Sequence, residues 1–190
     1  MNIVNVGYDS TNYYTLDIQN GKLLIDCGWP GTMPRLIAQF KRKGIEPQEI
    51  QYLLVTHFHP DHAGLAQELK NLGVKLILLE SQPPFVRPME KLYQSKRMPY
   101  LEIRLDDNLD LRFQESRDFL SSLGLQGEIL STPGHSDDSL TLILDEGFAF
   151  TGDLHPANLV TGDQLEEAQK SWEKIYTHKI VKIFPGHGRL

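Results

Sequence analysis

A layered α/β fold is what this chain predicts, and three observations predict it. Short apolar runs of strand character alternate along the chain with stretches whose apolar residues recur at helical spacing. Turn signals at Asn20-Gly21 and at Asp145-Glu146-Gly147 each join two such runs as a hairpin. Strand-like runs also end repeatedly on a residue type that ligates metals: the heptad Thr56-His57-Phe58-His59-Pro60-Asp61-His62, then His135, Asp153 and His187. A length of 190 residues is enough for one well-cored domain, taken as 1–190.

In chain order, Ile3 to Val6 opens as a short strand. Tyr13 to Ile18 and Lys22 to Asp26 pair as the first hairpin, across an Asn20-Gly21 pair that suits a primed two-residue turn. Thr32 caps a helix from Met33 to Lys43, with Pro34 tolerated in its first turn. Met33, Leu36, Ile37 and Phe40 form its buried stripe, and Gly44 stops it. Ile50 to Val55 is a buried strand that runs straight into the heptad. Leu65, Leu69 and Leu72 continue as a helix ended by Gly73, and Val74 to Leu79 is the next strand.

From Ser81 to Arg104 the pattern loosens. Pro83, Pro84, Pro88 and Pro99 interrupt it, while Phe85, Met89, Leu92 and Tyr93 suit one short amphipathic helix. Five basic residues (Arg87, Lys91, Lys96, Arg97, Arg104) against Glu90 and Glu102 leave +3 in an otherwise acidic chain. The stretch reads either as a solvated connector or as a lid that meets substrate. Leu109 to Phe113 is a strand, Ser116 to Leu123 a helix, and Glu128 to Ser131 the strand that delivers Thr132-Pro133-Gly134-His135. Ser139 to Leu144 and Phe148 to Thr151 form the second hairpin. Asp163 and Glu166 match a capping box for a helix to about His178, with Leu165, Ala168, Trp172 and Ile175 on one face. Ile180 to Phe184 closes the chain as a strand before Pro185-Gly186-His187.

Composition narrows the setting. Apolar content of 40% with 23% charged residues is ordinary for a globular protein. A net charge of −6 argues against nucleic acid or an anionic membrane surface as partner, and points to a small-molecule substrate. No apolar run approaches a membrane span, and Met1-Asn2-Ile3 lacks a basic-then-apolar signal pattern. The single cysteine, Cys27, excludes an intramolecular disulfide and fits a reducing cytoplasm. It follows a strand and reads as a small packed residue.

The heptad carries the chemistry. Three imidazoles and a carboxylate fall within six residues, in a chain with seven histidines in all. Borderline divalent metals take neutral imidazole nitrogen with carboxylate oxygen as the harder complement. In an extended segment alternate residues share a face, so His57, His59 and Asp61 point one way and His62 breaks the alternation. Glycine beside His135, Asp153 and His187 allows tight turns at the other strand ends.

These segments, with Asp26-Cys27-Gly28 after an apolar strand, resemble the metallo-β-lactamase superfamily in five places and in the same order. The resemblance implies a four-layer αβ/βα sandwich with two mixed β-sheets. It implies two divalent metal ions, zinc before iron or manganese, with His57, His59 and His135 on one and Asp61, His62 and His187 on the other. Asp153 bridges them, and Asp61 and Asp153 are the catalytic carboxylates. Two such ions lower the pKa of a shared water to about 7 and polarise an electrophile. The expected reaction is hydrolysis of an ester, thioester or lactone. Asp26 is expected behind the ligands, orienting a histidine. Trp29, Phe58 and the insertion are candidate pocket walls, and His155 a candidate proton donor. The alternatives are a phosphodiesterase, a sulfur dioxygenase holding one iron on His57, His135 and Asp153, and a metal-stabilised binding module without turnover.

Overall fold

A computed structural model describes residues 2–88, 99–156 and 164–188. The chain divides into two compact units, Met1–Leu111 and Arg112–Leu190. The first holds a six-stranded mixed sheet in sequential order: β1 (Ile3–Asn5), β2 (Tyr14–Ile18), β3 (Gly21–Ile25), β4 (Ile50–Leu54), β5 (Lys75–Leu79) and β6 (Leu109–Leu111). The β1–β2 and β2–β3 pairs are antiparallel, and β3 to β6 run parallel. Parallel neighbours need crossovers. Helix α1 (Met33–Arg42) supplies the one from β3 to β4, and α2 (Pro60–Ala63) with α3 (Ala66–Asn71) the one from β4 to β5. Leu36 and Phe40 of α1 and Leu65 and Leu69 bury in one cluster with Leu24, Leu53, Val55, Leu76 and Leu78 of the strands.

Local details depart from the sequence reading. The first hairpin turns on Gln19-Asn20, and Gly21 is the first residue of β3, opposite Ile18. Gly21 takes φ 134°, and a Cβ there would stand 2.4 Å from the Glu49 carbonyl oxygen, so closeness to a neighbouring segment selects this glycine. Thr32 precedes α1 without a side-chain cap; its hydroxyl goes instead to the Trp29 carbonyl at 2.6 Å and to Tyr8 Oη at 2.5 Å. The expected single helix after the heptad is two short ones, parted at Gly64 and Leu65. Gly64 lies against Pro30 and the Gly28 carbonyl, where a Cβ would meet atoms at 2.3–2.5 Å. Leu72, expected within that helix, is the residue just after α3 and is 63% exposed. Residues 83–88 are helical, which includes Phe85; Met89, Leu92 and Tyr93 of the expected amphipathic helix lie outside the described residues.

The second unit holds a four-stranded mixed sheet in the order β10-β9-β8-β7, formed by β7 (Gly127–Ser131), β8 (Leu140–Leu144), β9 (Phe148–Gly152) and β10 (Lys182–Pro185). Only β9 and β10 are parallel. Its helices are α4 (Ser116–Ser122) and α5 (Gln164–Tyr176). Ala168, Trp172 and Ile175 of α5 bury against Ile143, Ala149 and Leu154, the face expected for that helix. Asp163, expected to cap it, lies outside the described residues. Among the described residues no helix is long and apolar enough to cross a membrane.

Candidate metal centre

In the first unit, β4 ends at Leu54 and the heptad begins two residues later. It is not extended throughout, as the alternation argument supposed. His59 is the extended residue before α2, Pro60 starts that helix, and Asp61 and His62 stand on its single turn. His57 is fully buried. Its ring centroid lies 4.5 Å from that of His59 and 4.2 Å from that of His62. Asp61 Oδ2 is 3.6 Å from His62 Nε2. That is longer than a hydrogen bond, about 2.7–3.2 Å. It matches the edge of a tetrahedron, about 3.3–3.6 Å, for ligands about 2.0–2.2 Å from one ion.

Asp26 organises this half from behind. It is 2% exposed and adopts φ 59°, a left-handed conformation that aspartate tolerates better than most residues. Its Oδ1 accepts the Thr56 backbone N–H at 2.7 Å. Its Oδ2 accepts the Thr56 hydroxyl and His62 Nδ1, each at 2.8 Å. An ionised carboxylate can only accept, so the His62 proton is on Nδ1 and the lone pair on Nε2 is free for a metal. Thr56 Oγ1, having donated to Asp26, can accept from His57 Nδ1 at 3.2 Å, which sets the same tautomer in the second ring. Asp26 thus stands behind a histidine of the heptad, as expected, and holds a backbone N–H as well.

In the second unit, three loops bring the remaining donors together. Helix α5 grips the loop after β7: Ser171 Oγ donates to the Pro133 carbonyl at 2.6 Å and Lys174 Nζ to that of Ser131 at 3.1 Å. Gly134, at φ 135°, lets the helix come close, since a Cβ there would stand 2.7 Å from Ala168 Cα. The tips of β9 and β10 are tied by Gly186 N–H donating to the Gly152 carbonyl at 2.7 Å. Asp153 Oδ2 then lies 3.6 Å from His135 Nε2 and 3.3 Å from His187 Nε2. One carboxylate oxygen thus stands at tetrahedral-edge distance from two imidazoles, the placement a bridging ligand needs.

The other candidates sort clearly. Phe58 is 2% exposed in the first unit's core, so it packs there and is not a pocket wall. Trp29 is 37% exposed on the loop between β3 and α1. His155 is exposed, with its ring centroid 5.8 Å from that of His135 and its carbonyl accepting Trp172 Nε1 at 2.8 Å. Cys27 is fully buried, its thiol is pushed up by burial and donates to the His62 carbonyl, so it is the packed residue expected. Thr11, which sequence reasoning missed, donates its hydroxyl to Asp61 Oδ2 at 3.0 Å. Nothing in its local sequence signals this, because the contact joins residues fifty positions apart.

The donors in each unit are imidazole and carboxylate without thiolate, a set suited to zinc, iron or manganese. The family model of the metallo-β-lactamase superfamily matches residues 6–187, and the chain belongs to that superfamily. A probable metallo-hydrolase of Methanocaldococcus jannaschii is 30% identical, over 97% of this chain and 90% of its own. A β-lactamase-like protein 2 homolog of Drosophila melanogaster is 28% identical over 95% of this chain, which spans 59% of that relative's length. A hydroxyacylglutathione hydrolase of Haemophilus influenzae is 30% identical over 73% of this chain and 63% of its own. Among solved structures, a metallo-β-lactamase family protein from Thermus thermophilus superposes with a TM-score of 0.74 over 98% of this chain and 72% of that one, at 22% identity. A di-iron-bound protein, TTHA1623, gives 0.71 over 100% of this chain and 93% of its own, also at 22% identity. The fold is therefore the metallo-β-lactamase fold, with the two mixed sheets expected of it.

Proposed function

We propose that this chain is a dinuclear metal-dependent hydrolase that cleaves an ester, thioester or lactone of a small molecule. In this reading His57, His59 and His135 hold one divalent ion, Asp61, His62 and His187 the second, and Asp153 bridges them. Bound there, two such ions supply a water that ionises near neutral pH and a Lewis acid for the substrate's carbonyl oxygen. The observation that carries the reading is the donor spacing within each unit: 3.6 Å for Asp61–His62, 3.6 Å for His135–Asp153 and 3.3 Å for His187–Asp153. Family membership through residues 6–187 supports joining both halves in one centre.

The chain's own residues do the holding. Asp26 keeps the Nδ1 proton on His62 and Thr56 does so for His57, so both rings present Nε2. Thr11 fixes one carboxylate oxygen of Asp61. Burial of His57 and His62 excludes water from the floor of the site, which strengthens every charge interaction there. The Haemophilus influenzae relative, named for hydroxyacylglutathione, an acyl thioester, supports an acyl substrate. The net charge of −6 and one buried thiol support a small-molecule substrate and a reducing, cytoplasmic setting.

Elemental analysis of the purified protein, with turnover of an acyl ester and thioester panel by zinc-loaded enzyme, tests the proposal. Two zincs per chain with acyl turnover supports it. One iron per chain indicates the sulfur dioxygenase. Two irons would follow TTHA1623 and keep the dinuclear hydrolase. Metal uptake without turnover on any acyl substrate sinks the hydrolase reading. Phosphodiester turnover that falls when Arg87 is neutralised would favour the phosphodiesterase; Arg87 is exposed on the 83–88 helix, while Lys91 and Arg97 lie outside the described residues.

A further inference from the structure

Strands β4 and β5 part company one rung early, and a side chain fills the gap. Their parallel register sets Leu54 opposite Ile77. Leu54 points its carbonyl toward β3, where Asp26 N–H takes it, and Glu80 points its N–H toward β6, where the Leu111 carbonyl takes it. Alternation along each strand therefore turns the Val55 carbonyl and the Leu79 N–H toward one another, as the next rung of the parallel ladder. Instead the Leu79 N–H donates to Gln82 Oε1 at 3.0 Å, and Gln82 Nε2 donates to the Val55 carbonyl at 2.9 Å. One side-chain amide stands in place of one backbone hydrogen bond and holds the two strand tips apart.

Gln82 has no freedom to do this loosely. It is fully buried, its N–H donates to the Leu79 carbonyl at 2.8 Å, and its own carbonyl accepts Phe85 N–H at 2.9 Å to open the 83–88 helix. The carbonyl that it holds belongs to the peptide group whose N–H is held by Asp26 Oδ1. The Val55–Thr56 peptide is thus gripped at both ends, by Asp26 from the β3 side and by Gln82 from the β5 side. That peptide sets the direction in which Thr56 and then His57 leave the sheet.

We propose that Gln82 is a positioning residue for the metal-binding heptad. By wedging β4 from β5 and orienting the Val55–Thr56 peptide, it fixes where His57 and His59 stand, and it ties them to the root of the 83–88 helix. The far root of the same segment is held separately, by Gln67 Oε1 accepting Arg104 N–H and by Lys70 donating to the Arg104 carbonyl, Asn108 and Asp107. Two independent anchors make the effect of one separable from a general loosening.

The inference rests on the reading that His57 and His59 hold a divalent ion. Its test is zinc affinity, measured by competition with a chromogenic chelator, for wild type, Gln82→Met and Lys70→Met. Methionine matches glutamine in length and volume but has no amide. Folded Gln82→Met should bind zinc at least tenfold more weakly, in the range seen when groups behind metal ligands are removed. Its cobalt-substituted form should show an altered ligand-field spectrum, and Lys70→Met should keep wild-type affinity despite lost stability. Wild-type affinity in Gln82→Met, or an equal loss in Lys70→Met, overturns the proposal. If Gln82→Met does not fold, amide exchange in the wild type decides: zinc should slow the Leu79 amide more than that of Leu16 in β2, and equal slowing overturns it. A wild type that takes up no zinc, iron or manganese defeats the metal reading itself, a result distinct from any of these.

Discussion

Replacing Asp26 by asparagine should cost both stability and metal affinity, and the structure says why in atoms. The substitution keeps the shape and the tolerance of φ 59°, so backbone strain is not introduced. What changes is that one oxygen becomes a donor. Three donors converge on the carboxylate: Thr56 N–H on Oδ1, and the Thr56 hydroxyl and His62 Nδ1–H on Oδ2. If the asparagine oxygen faces Thr56 N–H, its NH2 group meets the His62 Nδ1–H head-on. The imidazole can escape only by moving its proton to Nε2, where it blocks the metal. If the amide flips, it loses the Thr56 N–H instead. Hydrogen bonds to a charged group contribute about 1.5–3 kcal/mol each, so losing one or two costs the metal-free protein about 2–4 kcal/mol. Metal affinity should fall about 10–100-fold, as for other groups behind ligand histidines. Denaturant unfolding of the chelated protein reads the first quantity and chelator competition the second. Asp26→Asn with wild-type zinc affinity would refute the reasoning, since His62 would then present Nε2 without the carboxylate.

Other predictions follow from single features. Gly134→Ala puts a methyl 2.7–3.0 Å from the backbone and Cβ of Ala168 at φ 135°, and should lower stability by about 2–3 kcal/mol; an unchanged melting temperature would contradict the close approach of α5. Thr11→Val removes the hydroxyl from Asp61 Oδ2, and should weaken one zinc of two in a stepwise titration; loss of both or neither counts against it. Burial raises Tyr13 and Tyr14 above their ordinary value of 10.0. The unfolded chain therefore loses protons above about pH 10 that the folded chain keeps, so stability falls as pH rises there, by up to about 1.4 kcal/mol per pH unit for each group. Burial pushes Tyr8 up to about 12 as well, so three tyrosines share that slope; Tyr13→Phe should lower it by roughly a third in urea unfolding between pH 10 and 11, and an unchanged slope would remove Tyr13 from the account.

Much of this was legible because strands and donors are written locally. Four strand-like runs end on ligand-type residues in sequence, and the same four places carry the donors in space. Element ends were less legible, since neighbours distant in the chain decide them. Gly21 reads as a turn residue, yet its place is set by the Glu49 carbonyl pressing where a Cβ would be. Leu72 continues the spacing of Leu65 and Leu69, but α3 ends at Asn71 and leaves it at the C-terminal cap, exposed to solvent. Asp61 fits strand alternation until Pro60 starts a helix beneath it. Least legible were the residues that hold the donors. Thr11 and Gln82 look like any exposed polar residue in a list of letters, and only three-dimensional pairing across fifty and twenty-seven positions gives them a task.

That last group explains how a metal site can sit at the ends of strands at all. A ladder that stops leaves backbone donors and acceptors without rungs, and burying them unpaired would cost roughly 1–3 kcal/mol each. At the tips of β4 and β7 such places are answered by side chains: Asp26 and Gln82 on the Val55–Thr56 peptide, Ser171 and Lys174 on the carbonyls after β7. The same bonds that satisfy the strand tips aim the loops that carry the ligands. Stability and geometry are therefore not separable at these residues, whereas they are at the ligands, whose removal leaves the ladders intact. A ligand variant such as His59→Ala should stay folded and lose metal. A holder variant should keep its metal donors, bind the ions more weakly and hold them in altered geometry, and the two classes should part cleanly in the cobalt spectrum.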